Sequence, residues 1–151
     1  MDFGLDLHCQ MILDEYRDNH ETFEILKELV VGTLKRCLTE NNILVTAVEA
    51  RIKTEKSLAG KLELKGSKYS FLSDITDILG ARVITFYSDD VEKIAALIEN
   101  NLDIDWDNSV DKRKLLGKDT FGYASLHYIC RIPKDLYFDE TQPAINEYRF
   151  E

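Results

Sequence analysis

A chain of 151 residues with 44% hydrophobic content can bury one substantial core but not two. Its formal charge of −9, from 28 acidic against 19 basic residues, argues against broad electrostatic binding to nucleic acid, and no apolar run is long enough to span a bilayer. Met1-Asp2-Phe3 lacks the basic start of a signal peptide, which makes the cytoplasm the expected location; Cys9, Cys37 and Cys130, widely spread and with no Cys-x-x-Cys pair, suggest buried, inert thiols rather than a disulfide framework or a zinc site.

In chain order, residues 1–42 read as an N-terminal helical segment. A short helix near 8–17 is followed by a long amphipathic one over 21–41, where Phe23, Leu26, Val30, Leu34, Cys37 and Leu38 recur at helical spacing. His8 and His20 on these helices read as surface residues. A mixed core of strands and helices occupies 43–151. Its first strand, near 43–53, alternates apolar Val48, Ala50 and Ile52 with charged Glu49, Arg51 and Lys53, and Thr54 then reads as the N-cap of a helix over 55–65. On that helix Ser57 and Lys61 share one face while Leu58 and Leu62 form the buried stripe. Two cations at a strand end, followed by a helix start with a hydroxyl and a further lysine, can cradle a polyphosphate; the plain alternative is a solvated charged face. Gly60-Lys61 is not a P-loop, because Glu55 stands where the first glycine must be and Leu62 where the Ser or Thr must be.

A helix is expected over 69–76, then Asp77 at the entrance of a strand over 80–87 whose β-branched run suits burial on both faces. A carboxylate in that place can hold magnesium or serve as an ordinary cap. A helix over 90–101 follows, capped by Asp89 or Asp90, with Val91, Ile94, Ala95 and Ile98 inward. Strands are expected over 103–110, 122–132 and 145–151, with a surface excursion between Pro133 and Pro143. In the segment 122–127, alternation turns Tyr123, Ser125 and His127 to one face, where a ring beside an imidazole can stack a base or simply pack half-buried. The cations gather in two stretches, one around Arg51 to Lys68 and one at Lys112, Arg113, Lys114 and Lys118, which favours a phosphate-binding cleft in an otherwise acidic body.

Taken together, Arg51-x-Lys53-x-x-x-Ser57-x-x-x-Lys61, then Asp77 with Gly80 and Arg82, then Gly122-Tyr123-x-Ser125-Leu126-His127 resemble the synthetase domain of the RelA/SpoT family, the guanosine tetra- and pentaphosphate synthetases. The resemblance implies an α/β (α+β) fold of the nucleotidyltransferase kind, a mixed β-sheet flanked by helices, preceded here by the N-terminal helices. It implies transfer of pyrophosphate from ATP to the ribose 3′-hydroxyl of GDP or GTP with magnesium as cofactor. By the same resemblance Arg51, Lys53, Ser57 and Lys61 hold ATP, Asp77 binds magnesium, Tyr123 stacks on guanine, and His127 lies beside the acceptor's phosphates or ribose; Lys112 and Lys118, from neighbouring positions, are candidates to meet the acceptor phosphates where Asp119 replaces the family's lysine. Arg82 and Ser125 are supporting residues. Glu151 is the candidate second carboxylate, as metal ligand and as base for the 3′-hydroxyl.

Two departures from the family pattern bear on this reading. The family's second acidic residue opens a strand of the form Glu-(Ile/Val)-Gln-(Ile/Val)-Arg-Thr, whereas this chain reads Glu147-Tyr148-Arg149-Phe150-Glu151, so it is read as a piece of a longer protein, incomplete at the C-terminal end of the catalytic domain. Asp119 and Phe121 stand where relatives using free guanine nucleotides have a lysine and an asparagine. This leaves open a toxin-type relative acting on the 3′ end of transfer RNA, and a non-catalytic nucleotide-binding module. No adjacent His-Asp pair occurs, and by resemblance the chain makes but does not degrade its product. A homo-oligomer is compatible with the sequence, and a membrane partner is not expected.

Overall fold

The computed structural model describes residues 4–111 and 125–151. Helix α1 (Leu7–Asp18) starts behind Asp6, whose carboxylate accepts a hydrogen bond from the Cys9 amide at 3.0 Å and so satisfies one of the orphan donors of the first turn. Helix α2 (His20–Glu40) buries the whole predicted stripe from Phe23 to Leu38, and with α1 it forms the helical side of the core. Cys9, Cys37 and Cys130 are all buried and unpaired, as their spacing suggests. No described helix is long and apolar enough to cross a membrane.

Strand β1 (Val45–Ile52) pairs antiparallel with β2 (Leu79–Thr85), and helix α3 (Glu55–Lys65) stands between them in sequence. The Thr54 hydroxyl caps α3 by accepting from the Ser57 amide at 3.2 Å, and Leu58, Ala59 and Leu62 are buried. Helix α4 (Asp89–Asn101) follows β2 and buries Ile94 and Ala95. Strand β3 (Asp103–Asp111) pairs antiparallel with β4 (Leu126–Arg131), with a register shift between Asp105 and Val110. Helix α5 (Ala144–Glu147) is a single turn before the last residues.

Those last residues join the two ladders. Phe150 exchanges both backbone hydrogen bonds with Cys130, at 2.8 and 2.9 Å, in the antiparallel sense. Glu151 donates to the Leu79 carbonyl and accepts from the Ala81 amide, the bonding pattern of a parallel neighbour lying beside Gly80. The order across the molecule is therefore β1, β2, the 150–151 segment, β4, β3, a mixed arrangement within an α+β fold. One face carries Val48, Ala50, Ile52, Ala81 and Val83 against the core, with Phe150 and Cys130 continuing it inward. The opposite face carries Glu49, Arg51, Lys53, Arg82, Gly80 and Glu151.

Several expectations are corrected. The segment 69–76 is not an α-helix: Leu72–Asp74 forms a 3₁₀ turn, because the Asp74 carboxylate captures the Ser70 and Phe71 amides at 2.8 and 3.0 Å and competes with helical bonding. Strand β2 is half-buried rather than buried on both faces and ends at Thr85, leaving Phe86 and Tyr87 exposed. Helix α4 starts after Ser88, which makes no side-chain capping bond, and Asp89 and Asp90 lie inside its first turn, where their charges meet the positive end of the helix dipole. The strand expected over 145–151 is reduced to its final two residues. Pro143, with φ of −64°, starts α5 instead, and the buried Asn146 amide pins that turn by donating to the Ile132 and Tyr137 carbonyls at 3.0 and 2.8 Å.

Candidate nucleotide site on the charged sheet face

Alternation along β1 and the β1–β2 register together build the site. Arg51 stands opposite Gly80 and Glu49 opposite Arg82, so the charged positions of both strands share the face turned away from the core. Glu49 and Arg82 pair across the ladder at 2.6 Å. Arg51 is exposed, and no described acid pairs with it. Gly80 leaves room beside it: a Cβ placed there would meet nothing within 4 Å.

Lys53 begins the turn out of β1, and its amide bonds the Ile78 carbonyl at 2.6 Å, which brings the end of β1 to the residues just before β2. There Asp77 receives Lys61 Nζ at 2.8 Å and Lys53 Nζ at 3.2 Å, one ammonium on each carboxylate oxygen. Lys61 comes from the second turn of α3, and its ammonium also lies over the Tyr69 ring at 5.9 Å. Partial burial works to raise the Asp77 pKa, but the Lys61 hydrogen bond and the Lys53 charge outweigh it and hold the carboxyl below its ordinary value. Lys61 is the mirror case: burial favours the neutral amine, and Asp77 outweighs it and raises the pKa. Asp77 is therefore an ionised oxygen donor, and its side chain keeps 30% of its surface accessible.

On the other side of Gly80, the Glu151 carboxylate contacts His127 Nδ1 at 2.7 Å, and His127 Nε2 lies 3.1 Å from the Ser125 hydroxyl. The carboxylate, imidazole and hydroxyl form one hydrogen-bonded chain, in which His127 is engaged at both ring nitrogens. The structure thus assembles two constellations on one face, Lys53–Asp77–Lys61 and Ser125–His127–Glu151, with Gly80 and Arg51 between them. Ser57 is exposed on α3, one turn before Lys61.

Of the expected site residues, Arg51, Lys53, Ser57, Lys61, Asp77, Arg82, Ser125, His127 and Glu151 are described. Tyr123, Lys112 and Lys118 lie outside the described residues. Asp77 and Glu151 are not engaged with each other; each carboxylate is held by its own cationic or imidazole partners. Their chemistry fits magnesium, which takes oxygen ligands, although a cation on Asp77 must share oxygens that Lys53 and Lys61 occupy. Sequence reading did not anticipate the two ammonium partners of Asp77 or the bond between Glu151 and His127. The signal for the first was present in the spacing of Lys53 and Lys61 across one helix start; the second depends on the long-range placement of the 150–151 segment, which no local pattern carries.

Residues 50–145, well over half of the chain, match a family model described as the region found in RelA / SpoT proteins. The matched span includes Arg51, Lys53, Ser57, Lys61, Asp77, Gly80, Arg82, Tyr123, Ser125 and His127, and ends before Glu151. No individual curated protein matches the chain significantly. On this match the chain belongs to the RelA/SpoT family, whose members are of the guanosine tetra- and pentaphosphate synthetase type.

Proposed function

We propose that this protein transfers the β,γ-pyrophosphate of ATP to the ribose 3′-hydroxyl of GDP or GTP, in the cytoplasm. The observation that carries the reading is the grouping of Arg51, the Lys53–Asp77–Lys61 cluster and the Ser125–His127–Glu151 chain on one sheet face around Gly80. Arg51, Lys53 and Lys61 meet the triphosphate, with the Arg51 fork suited to bidentate phosphate contact and Ser57 donating from α3. Tyr123 stacks on the guanine base, His127 orients the acceptor, and Lys112 and Lys118 neutralise its phosphates. Asp77 and Glu151 would hold magnesium, which would shield the phosphate charge and so favour attack.

In the transfer a bond forms between the 3′-oxygen and the β-phosphorus while the bond from that phosphorus to the oxygen bridging to the α-phosphorus breaks, and AMP leaves. The 3′-hydroxyl proton passes to the Glu151–His127 pair, with Glu151 as the terminal acceptor. Positioning by the lysines and the arginine supplies most of the rate.

ATP labelled on its terminal phosphate tests the reading. Label appearing in GDP or GTP supports it. Asp119 and Phe121 ahead of Gly122-Tyr123 favour one second reading, the 3′ end of transfer RNA as acceptor, and label on deacylated transfer RNA alone selects that reading. Label on neither, with ATP still bound, identifies a non-catalytic nucleotide-binding module.

A further inference from the structure

The last turn of α1 reaches the junction where β1 gives way to α3. Tyr16 is buried there, and its hydroxyl donates to the Lys53 carbonyl at 2.6 Å. Arg17, the next residue, pairs through Nε with Glu55 in the first turn of α3. Two consecutive residues of α1 therefore hold the two neighbours of the Thr54 cap. The Tyr16 ring is itself met edge-on by the ring of His20, with the centroids 5.8 Å apart.

Lys53 stands just outside the regular elements, because the β1–β2 pairing ends with Ile52 opposite Leu79 and α3 starts at Glu55. Its backbone is nevertheless held at both polar groups, the amide by the Ile78 carbonyl at 2.6 Å and the carbonyl by Tyr16. That constraint matters for the side chain. A lysine has a flexible four-carbon stem, and fixing the peptide from which the stem departs narrows the arc over which the ammonium, here 3.2 Å from Asp77, can swing. Burial pushes the Tyr16 phenol above its ordinary value, with the Glu55 and Glu24 charges adding to the effect, so the hydroxyl keeps its proton and stays a donor. A phenylalanine would fill the same space and leave the carbonyl without this donor.

We propose that Tyr16 is a positioning residue for the donor side of the site: by holding the Lys53 carbonyl, its hydroxyl aims the Lys53 ammonium, and the start of α3 that carries Ser57, at the phosphates of ATP. The proposal rests on the reading of Arg51, Lys53, Ser57 and Lys61 as the ATP cradle. Tyr16 acts through Lys53 and touches no substrate. The Ser125–His127–Glu151 chain is built on β4 and the final residue, across Gly80 from this junction, so the effect belongs to the donor and not to the acceptor. Helix α1, outside the stretch that matches the family model, thereby sets donor affinity.

The test compares the whole parent chain with Tyr16→Phe and with Ile94→Ala, a core truncation on α4 away from the junction. Titration calorimetry uses a non-hydrolysable ATP analogue and, separately, GDP, and circular dichroism shows that each variant is folded. Tyr16→Phe is expected to weaken the ATP analogue about 3- to 10-fold, the scale of one hydrogen bond, and to leave GDP at the parental value. Ile94→Ala lowers the melting temperature and leaves both affinities unchanged. Amide exchange gives a readout that needs no nucleotide: in Tyr16→Phe the Lys53 amide should exchange faster relative to the Cys130 amide, which is bonded to Phe150. Parental ATP-analogue affinity in Tyr16→Phe, equal weakening of both ligands, the same loss in Ile94→Ala, or unaltered Lys53 exchange overturns the positioning role while the donor reading stands. A parent chain that binds no ATP analogue overturns the donor reading itself, and the positioning role with it.

Discussion

Asp77 shows how little a residue type alone decides. As a carboxylate at a strand entrance it reads equally as a metal ligand or a cap; the structure makes it the shared counter-ion of Lys53 and Lys61, ionised and partly accessible. If it also serves the transfer reaction, Asp77→Asn removes the charge while preserving the volume, and transfer should fall at least about 10²-fold, the scale of losing one electrostatic catalytic contact. Circular dichroism should show the fold retained, and near-parental turnover would remove Asp77 from the reaction. Gly80 makes the complementary case. A Cβ there has open space, so Gly80→Val should fold with a melting temperature close to the parent, because valine also suits a strand. Its side chain would nevertheless stand on the charged face between Arg51 and Glu151, and ATP affinity should drop by about tenfold or more, a loss of roughly 1.4 kcal/mol. Calorimetry distinguishes this from a general destabilisation, which would lower both quantities.

At the scale of elements, the segment 149–151 does the most unexpected work. Phe150 is buried and bonded to β4 while Glu151 is bonded to β2, and Arg149 reaches Asp105 on β3 at 2.8 Å. Phe150→Ala should cost about 3–5 kcal/mol of stability, as for other buried aromatic truncations, and should loosen both ladders in hydrogen exchange. The Asp105 carboxyl is held below its ordinary value first by the Asn108 amide and then by Arg149. A depressed folded pKa stabilises the protein above the unfolded value near 3.9, and that contribution is lost as pH falls through the folded value. Asp105→Asn should therefore melt below the parent near neutral pH, with the difference closing in acid; a pH-independent difference would contradict the assignment. The long helices and β1 were legible because their periodicity is local, and Thr54 was legible as a cap because capping needs only three neighbouring residues. The 69–76 and 145–151 segments were misread because Asp74 and Pro143 redirect short stretches that lack a sustained period. The Glu151–His127 bond was not legible at all, since residues 24 positions apart meet only through a sheet register that two tail residues set.

At the scale of the whole molecule, an acidic body turns one charged face outward and buries the other side of the same strands against α2. Phe23, fully buried and 4.6 Å from the Tyr148 ring, links the N-terminal helices to the residues just before the 150–151 segment. That arrangement makes the N-terminal helices part of the support for the charged sheet face rather than an appendage. Under the proposed function the β1–α3 side of the charged face holds the ATP donor and the acceptor lies on the Ser125–His127–Glu151 side. Titration calorimetry of Arg51→Ala with a non-hydrolysable ATP analogue and, separately, with GDP measures this directly. The account predicts that the substitution weakens ATP-analogue binding and leaves GDP binding close to the parental value, whereas equal weakening of both ligands would contradict it.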